Sequence, residues 1–253
     1  MYPIFLQLGS LVIHTYGVLV ALGFLAAIIL ASTRAQEYGL DRDFIFDLSF
    51  WILVSALIGA RALEVLANFP YYRLDPIRIV KIWEGGLSFF GGLTGGVLGG
   101  IWYVQRKKLS VWNCGDLMIP YLALGQAIGR IGCFSAGCCY GRVCSASWAV
   151  HFSHPQSLAP TGIPLHPTQI YESLADFIIF LILLNVGKKR EFTGQVFLLY
   201  FILYGAVRFI IEFYRGDNPA VWYSLTLYQI FSVVILVAAG IIYTIKWKKQ
   251  KNK

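Results

Sequence analysis

The sequence predicts an all-α polytopic membrane protein, with seven transmembrane helices and a small extracytoplasmic cap. Of its 253 residues 57% are hydrophobic and only 13% are charged, whereas a soluble domain carries about 25% charged residues. Mean hydropathy is +0.64. Apolar runs recur, each able to cross a hydrocarbon core that takes about 20 residues, and basic residues gather in every second connection between them.

The runs lie near 12–33, 44–67, 87–105, 115–133, 170–186, 194–213 and 225–245. The third is the weakest because Gly85-Gly86, Gly91-Gly92 and Gly95-Gly96 give it a glycine-rich entry. Small residues at that spacing let helices approach closely in lipid. Arg34 and Arg42, then Arg106, Lys107 and Lys108, then Lys188, Lys189 and Arg190, then Lys246, Lys248, Lys249, Lys251 and Lys253 make up 13 of the 21 basic residues. The positive-inside bias puts those segments in the cytoplasm, and the N-terminus and the 68–84, 134–169 and 214–224 connections outside. The +8 net charge is therefore a topology signal, and no nucleic-acid partner is expected. Residues 1–10 lack a basic leader and a small-residue cleavage site, so no cleaved signal peptide is expected.

Residues 1–253 read as a single integral membrane domain, with 134–169 as an extracytoplasmic cap loop within it. A loop that long is more often functional than idle. It holds His151, His154, His166 and Trp148, and short extended pieces are expected around 147–152. No internal repeat is apparent, which counts against an inverted-repeat transporter.

Two arginine constellations carry the chemistry. Arg130 closes the fourth run within Gly129-Arg130-Ile131-Gly132, while Tyr204, Arg208, Glu212 and Arg215 are spaced four, four and three apart on one stripe of the sixth. An arginine at membrane depth is costly unless it is paired, wetted or occupied by an anion. Any one of them could equally be structural, paired with a carboxylate between helices; two clusters favour a site. Glu212 can pair one guanidinium and leave another for an anion, and the planar donor fork matches phosphate oxygens. The residues thus describe a phospholipid headgroup site reached laterally from the outer leaflet. Asp47, Arg61, Glu64, Asp116, Asp176 and Glu212 would also suit a transporter path, although they suit helix pairing equally well.

Cys133, Cys138, Cys139 and Cys144 raise a different class, a cysteine-ligated redox or metal membrane protein. No Cys-x-x-Cys unit is present, so these residues are expected not to bind metal. One or two disulfides would stiffen the cap instead, with Cys138 and Cys139 pairing to Cys133 and Cys144. Cys114 reads as free.

Beyond this physical reading, the chain resembles the bacterial prolipoprotein diacylglyceryl transferases. Gly129-Arg130-Ile131-Gly132-Cys133-Phe134 through Gly141-Arg142 is similar to the family signature Gly-Arg-x-Gly-Asn-Phe…Gly-Arg. His14-Thr15-Tyr16-Gly17, Gly59-Ala60-Arg61, Trp83-Glu84-Gly85-Gly86-Leu87-Ser88-Phe89, His166-Pro167-Thr168-Gln169-Ile170-Tyr171-Glu172 and Arg208-Phe209-x-x-Glu212-Phe213-x-Arg215 resemble further family segments, in family order. The resemblance implies transfer of the diacylglyceryl group of phosphatidylglycerol to the lipobox cysteine of prolipoproteins at the bacterial inner membrane, with membrane lipids as surroundings and no cofactor. It implies that Arg130 and Arg208 meet the phosphate and Tyr16 and Tyr204 orient the headgroup. Glu212 orients Arg208, Gly141 and Arg142 close the signature, and His166 contributes from the cap. Gln169, Tyr171 and Glu172 support it from the fifth run. The departures are Phe90, where the family often has histidine, Cys133 in place of asparagine, and Gly137-Cys138 in place of Gly-Glu. They leave the proton acceptor unassigned. His166 is the nearest by analogy, and the field of Arg130 and Arg208 is an alternative source of thiol activation. Phe90 is expected to be a buried ring lining a lipid-accessible cavity.

Overall fold

The computed structural model describes residues 2–9 and 11–252. Eight α-helices run through them: α1 (Thr15–Thr33), α2 (Arg42–Ala67), α3 (Phe69–Leu74), α4 (Phe89–Arg106), α5 (Val111–Ala136), α6 (Thr168–Gly187), α7 (Gln195–Glu212) and α8 (Leu227–Lys251). All but α3 and α4 are long and apolar enough to cross a membrane, so six spans stand by that measure against the seven expected. The difference is α4, whose six glycines bring no apolar side chain. Large apolar side chains such as Leu25, Ile29, Phe231, Val234 and Ile245 are exposed, a surface suited to an apolar solvent. The chain divides into two compact units, Met1–Leu30 with Gly115–Lys253, and Ala31–Cys114.

In the 31–114 unit, α2 and α4 pack backbone to backbone. A Cβ added at Gly91 would lie 2.3 Å from the Gly59 carbonyl oxygen, and one at Gly95 2.3 Å from that of Ser55. In lipid no hydrophobic force draws two helices together, so close contact of this kind must supply the attraction. Arg61, near the end of α2, is the structural arginine of the pair of readings above. Its guanidinium donates to the carbonyls of Ile79 (2.9 Å), Gly85 and Gly86 (both 2.7 Å), Arg78, and Lys81 (3.3 Å), and sits over the Tyr72 ring. It therefore ties the 78–86 connection to α2. Asp47 accepts from the Tyr103 hydroxyl at 2.8 Å. Phe90 is 56% exposed and stacks edge-on against Phe89, which corrects the expectation of a buried ring.

In the other unit, an antiparallel hairpin of β1 (Ile4–Leu8) and β2 (Leu11–His14) precedes α1, so the first helix begins at Thr15 rather than near 12. On α5, Asp116 is fully buried and accepts from the backbone N–H of Gly194 (2.6 Å) and Phe197 (2.9 Å), with Arg190 at 3.3 Å. A carboxylate there satisfies orphan donors at the start of α7 and complements its dipole. α7 and α8 meet at Gly205, where a Cβ would lie 3.1 Å from the Ser232 carbonyl oxygen. Within the 134–169 connection β3 (Val150–His151) pairs antiparallel with β4 (Pro164–Leu165). Beneath them Phe152, Ala159 and Leu165 form a small core against Phe134 and Tyr140.

Close glycine packing yields a prediction. Gly95→Ala must push α2 and α4 apart, an overpacking cost of about 1–3 kcal/mol. Gly240→Ala meets nothing within 4 Å and gains helix propensity. Thermal unfolding in detergent should fall for the first and hold or rise for the second; equal midpoints would show that the close approach does not hold the helices together.

Candidate active site

Glu172, in the second turn of α6, gathers three guanidinium groups. Arg130 of α5 reaches its Oε2 from Nε at 2.7 Å, while Arg208 of α7 and Arg215 beyond it meet Oε1, the latter at 3.4 Å. The Arg208 second arm binds Glu212 at 2.8 Å, one helical turn on. Glu212 also accepts from Asn218 Nδ2 (2.6 Å) and Thr226 Oγ1 (2.8 Å), and Arg215 holds Asp217 bidentately at 2.6 and 2.8 Å. The side chains of Glu172, Glu212, Arg208 and Arg215 are at most 9% exposed. Three cations thus pair with three carboxylates, and Asp176, one turn after Glu172 on α6, is a further buried acid beside Arg130 and Arg208; pairing is what makes such charges tolerable. Arg130 is the most open of the three at 20%, and its Nη1 also lies 3.6 Å from Cys139 Sγ.

The sequence reading let Glu212 pair one arginine and leave the other free. In the structure both Arg208 and Arg215 are paired, and Glu172 sits where the guanidinium groups converge. Glu172 was visible only as the last residue of His166-Pro167-Thr168-Gln169-Ile170-Tyr171-Glu172. Asp217, Asn218 and Thr226 gave no sequence signal.

Gly141, Arg142 and His166 frame the cluster through the backbone. Gly141 N–H donates to the His166 carbonyl (3.1 Å), His166 N–H to that of Arg142 (3.0 Å), and Arg142 N–H to that of Tyr214 (2.8 Å). Glycine is required at 141, since a Cβ would lie 2.4 Å from the His166 carbonyl oxygen. Arg142 is exposed and its Nε donates to the Arg215 carbonyl at 3.0 Å. The His166 ring meets the Tyr171 hydroxyl through Nδ1 at 3.2 Å and lies edge-on to Tyr214, in an aromatic group joined by Trp148 through the same hydroxyl. Tyr16, 44% exposed, lies against Gly132, where a Cβ would come within 3.3 Å of its Cα. Tyr204 stacks on Tyr200 (5.5 Å, 14°), whose hydroxyl donates to Gln126.

All five cysteines are free thiols, so the expected disulfides are not formed. Cys144 stands apart, its sulfur accepting from Ala146 N–H at 3.4 Å. Cys133, Cys138 and Cys139 bring their sulfurs within 4.8 Å of one another. Hydrogen bonds from the Cys133 and Cys138 thiols lower the Cys139 thiol below its usual range; burial opposes this, and Arg215 and Arg130 reinforce it.

The convergence on one carboxylate is testable. Glu172→Gln keeps the shape and removes the charge, which leaves three guanidinium groups facing one another; breaking a buried pair in this way costs about 3–5 kcal/mol. Thermal unfolding in detergent should drop clearly, and an unchanged midpoint would mean that Glu172 is not the hub.

The family described as prolipoprotein diacylglyceryl transferase matches residues 3–245. The chain is 36% identical to a Clostridium tetani protein named phosphatidylglycerol–prolipoprotein diacylglyceryl transferase, over 99% of this chain and 100% of the relative. It is 34% identical to the second such protein of Clostridium perfringens, over 98% of this chain and 96% of the relative. Against the Bacillus licheniformis protein of the same name identity is 36%, over 99% and 95%. With full-length likeness of this kind, the chain belongs to the prolipoprotein diacylglyceryl transferase family.

Proposed function

We propose that Arg130 and Arg208 hold the phosphate of phosphatidylglycerol during transfer of its diacylglyceryl group to the cysteine thiol of a prolipoprotein. The overall reaction follows from the family and from the names of its full-length relatives. The convergence of three guanidinium groups on one point at the ends of apolar helices carries the assignment of residues. The thiolate attacks the glycerol carbon, the carbon–sulfur bond forms, and the carbon–oxygen bond to phosphate breaks. Negative charge then develops on the departing glycerol phosphate, and preorganised donors that meet it lower the barrier.

The three arginines are already paired with carboxylates, so the arriving phosphate needs donors left over. Arg130 is the most open of the three, and the exposed Arg142 adds a fourth cation. Glu212 fixes the Arg208 fork, while Gly141 and His166 hold Arg142 in register. Tyr16 and Tyr204 flank the headgroup in this reading. The apolar helix faces leave the acyl chains in surrounding lipid. The basic residues assign the site to the outer face of the bacterial inner membrane, with the N-terminus outside, the C-terminus cytoplasmic, residues 134–169 as the cap and the lipobox segment as the protein substrate.

A transporter path is less well supported. Asp47, Asp116 and Glu212 each accept hydrogen bonds that hold the fold together, and Arg61 is consumed by backbone carbonyls.

The decisive assay gives purified protein phosphatidylglycerol and a synthetic lipobox peptide, with thioether product read by mass spectrometry. Arg130→Ala should lower transfer by about 10²–10³-fold, as loss of one oxyanion donor does. Arg130→Lys should recover little because a point charge lacks the fork. Parent-level turnover in Arg130→Ala would remove that residue from the chemistry. His166→Ala, by contrast, should keep most of its rate and an unchanged pH profile, since its ring contacts are with Tyr171 and Tyr214; loss of the alkaline limb in a folded variant would restore His166 as the base.

A further inference from the structure

We infer that Cys133, Cys138 and Cys139 form a zinc site whose open coordination position takes the thiol of the incoming lipoprotein cysteine. The second half of that statement rests on the transferase reading above. Three sulfurs within 4.8 Å of one another are near the separation of about 3.8 Å that a tetrahedral ion imposes at a Zn–S distance of about 2.3 Å. Less than about 1 Å of adjustment closes the set.

The fold constrains this geometry at each residue. Cys133 lies in the last turn of α5. Gly137 then turns the chain at φ +80°, its N–H donating to the Cys133 carbonyl at 2.9 Å, and a Cβ there would lie 2.2 Å from Ser157 Oγ. Cys139 adopts φ +61°, a conformation uncommon for a residue with a side chain. Two fully buried side chains from the start of α6 hold it there: Gln169 Nε2 donates to the Cys138 carbonyl (2.8 Å) and Thr168 Oγ1 to that of Cys139 (2.7 Å). Backbone strain held in place by its surroundings is a mark of a functional site. The sequence reading dismissed a metal because no Cys-x-x-Cys unit exists. Spacings of five and one reach the same end through this turn.

The donor set narrows the choice of ion, and elemental analysis distinguishes zinc from copper and iron. Thiolates favour zinc over magnesium, calcium or manganese. Three thiolates on a divalent ion carry one net negative charge, and Arg130 Nη1, 3.6 Å from Cys139 Sγ, complements it. Among the described residues no fourth histidine, cysteine or acid joins the group. Three protein ligands with one position open is the arrangement of catalytic zinc, whereas structural zinc takes four. A thiol that binds there loses its proton. The lipobox S–H gives up that proton, its sulfur attacks the glycerol carbon, and the C–O electron pair leaves with the phosphate, which can take up the released proton. This supplies the thiol activation that Phe90 cannot.

Protein purified without chelator should contain about one zinc per chain by elemental analysis, falling to background in a Cys138→Ser, Cys139→Ser double variant. Because that variant can misfold, the parent is also loaded with cobalt alone. A thiolate-to-cobalt charge-transfer band should appear, rise further with a cysteine lipobox peptide, and stay unchanged with the serine peptide. Absence of stoichiometric zinc together with absence of the band, or metal retained undiminished in the double variant, overturns the site. Equal responses to the two peptides overturn the open position. Transfer is assayed alongside: full turnover by zinc-free parent sinks the zinc role and leaves the transferase, while zinc without transfer sinks the transferase reading and leaves the site.

Discussion

Glu172 is the residue on which the polar interior depends. Arg130 comes from α5, and Arg208 and Arg215 from α7 and the turn that follows it; each would be prohibitively costly inside an apolar bundle if left alone. One carboxylate shared among them ties α5, α6, α7 and the following turn to a common point. Glu212 and Asp217 then neutralise what Glu172 cannot. On the function proposed above, an arriving phosphate exchanges for one of these carboxylate contacts and meets donors that the cluster already holds in place. Such preorganisation is what makes an electrostatic site effective.

Arg61 solves the same problem by another route. It meets five backbone carbonyls and an aromatic face rather than a carboxylate. Carbonyl oxygens are partial charges fixed in the fold, so an arginine saturated by them has no donor to offer a ligand. Arg61, Arg130 and Arg208 all stand in family-like segments of sequence, yet only Arg130 and Arg208 are held by carboxylates. The distinction lies in the partners, which a sequence does not print.

Long apolar runs made the helices legible, because membrane thickness sets a length that few other constraints imitate. The glycine pairs of α4 were legible as close packing, and α2 meets them as expected. The β1–β2 hairpin was not, since Ile4 through Leu8 is a short apolar run that merges into the first span. Of the site, Tyr204, Arg208 and Glu212 lie along α7 as their spacing expects, whereas Arg215 falls past the end of that helix, in the turn that follows, and not on the expected stripe. Glu172 could not be found from spacing, since its role requires knowing that Arg130 and the Arg208–Arg215 stretch converge on it. The cysteines failed for a related reason: their proximity depends on a left-handed residue at 139 and on Thr168 and Gln169, some thirty positions away.

In the proposed chemistry Arg130 joins the two halves. One edge of its guanidinium holds Glu172 at 2.7 Å and another approaches the Cys139 sulfur at 3.6 Å. A thiolate nucleophile and a phosphate leaving group are both anionic, and bringing them together in a desolvated site would oppose the reaction unless positive charge lies between them. A planar cation with donors on several edges can serve both at once, whereas an ammonium presents a single point. On the proposed zinc and phosphate sites, the last turn of α5 sets the spacing between nucleophile and leaving group, because Arg130 and Cys133 are three residues apart on one helix and share its face. Any account of how this chain activates a thiol must begin from that fixed separation.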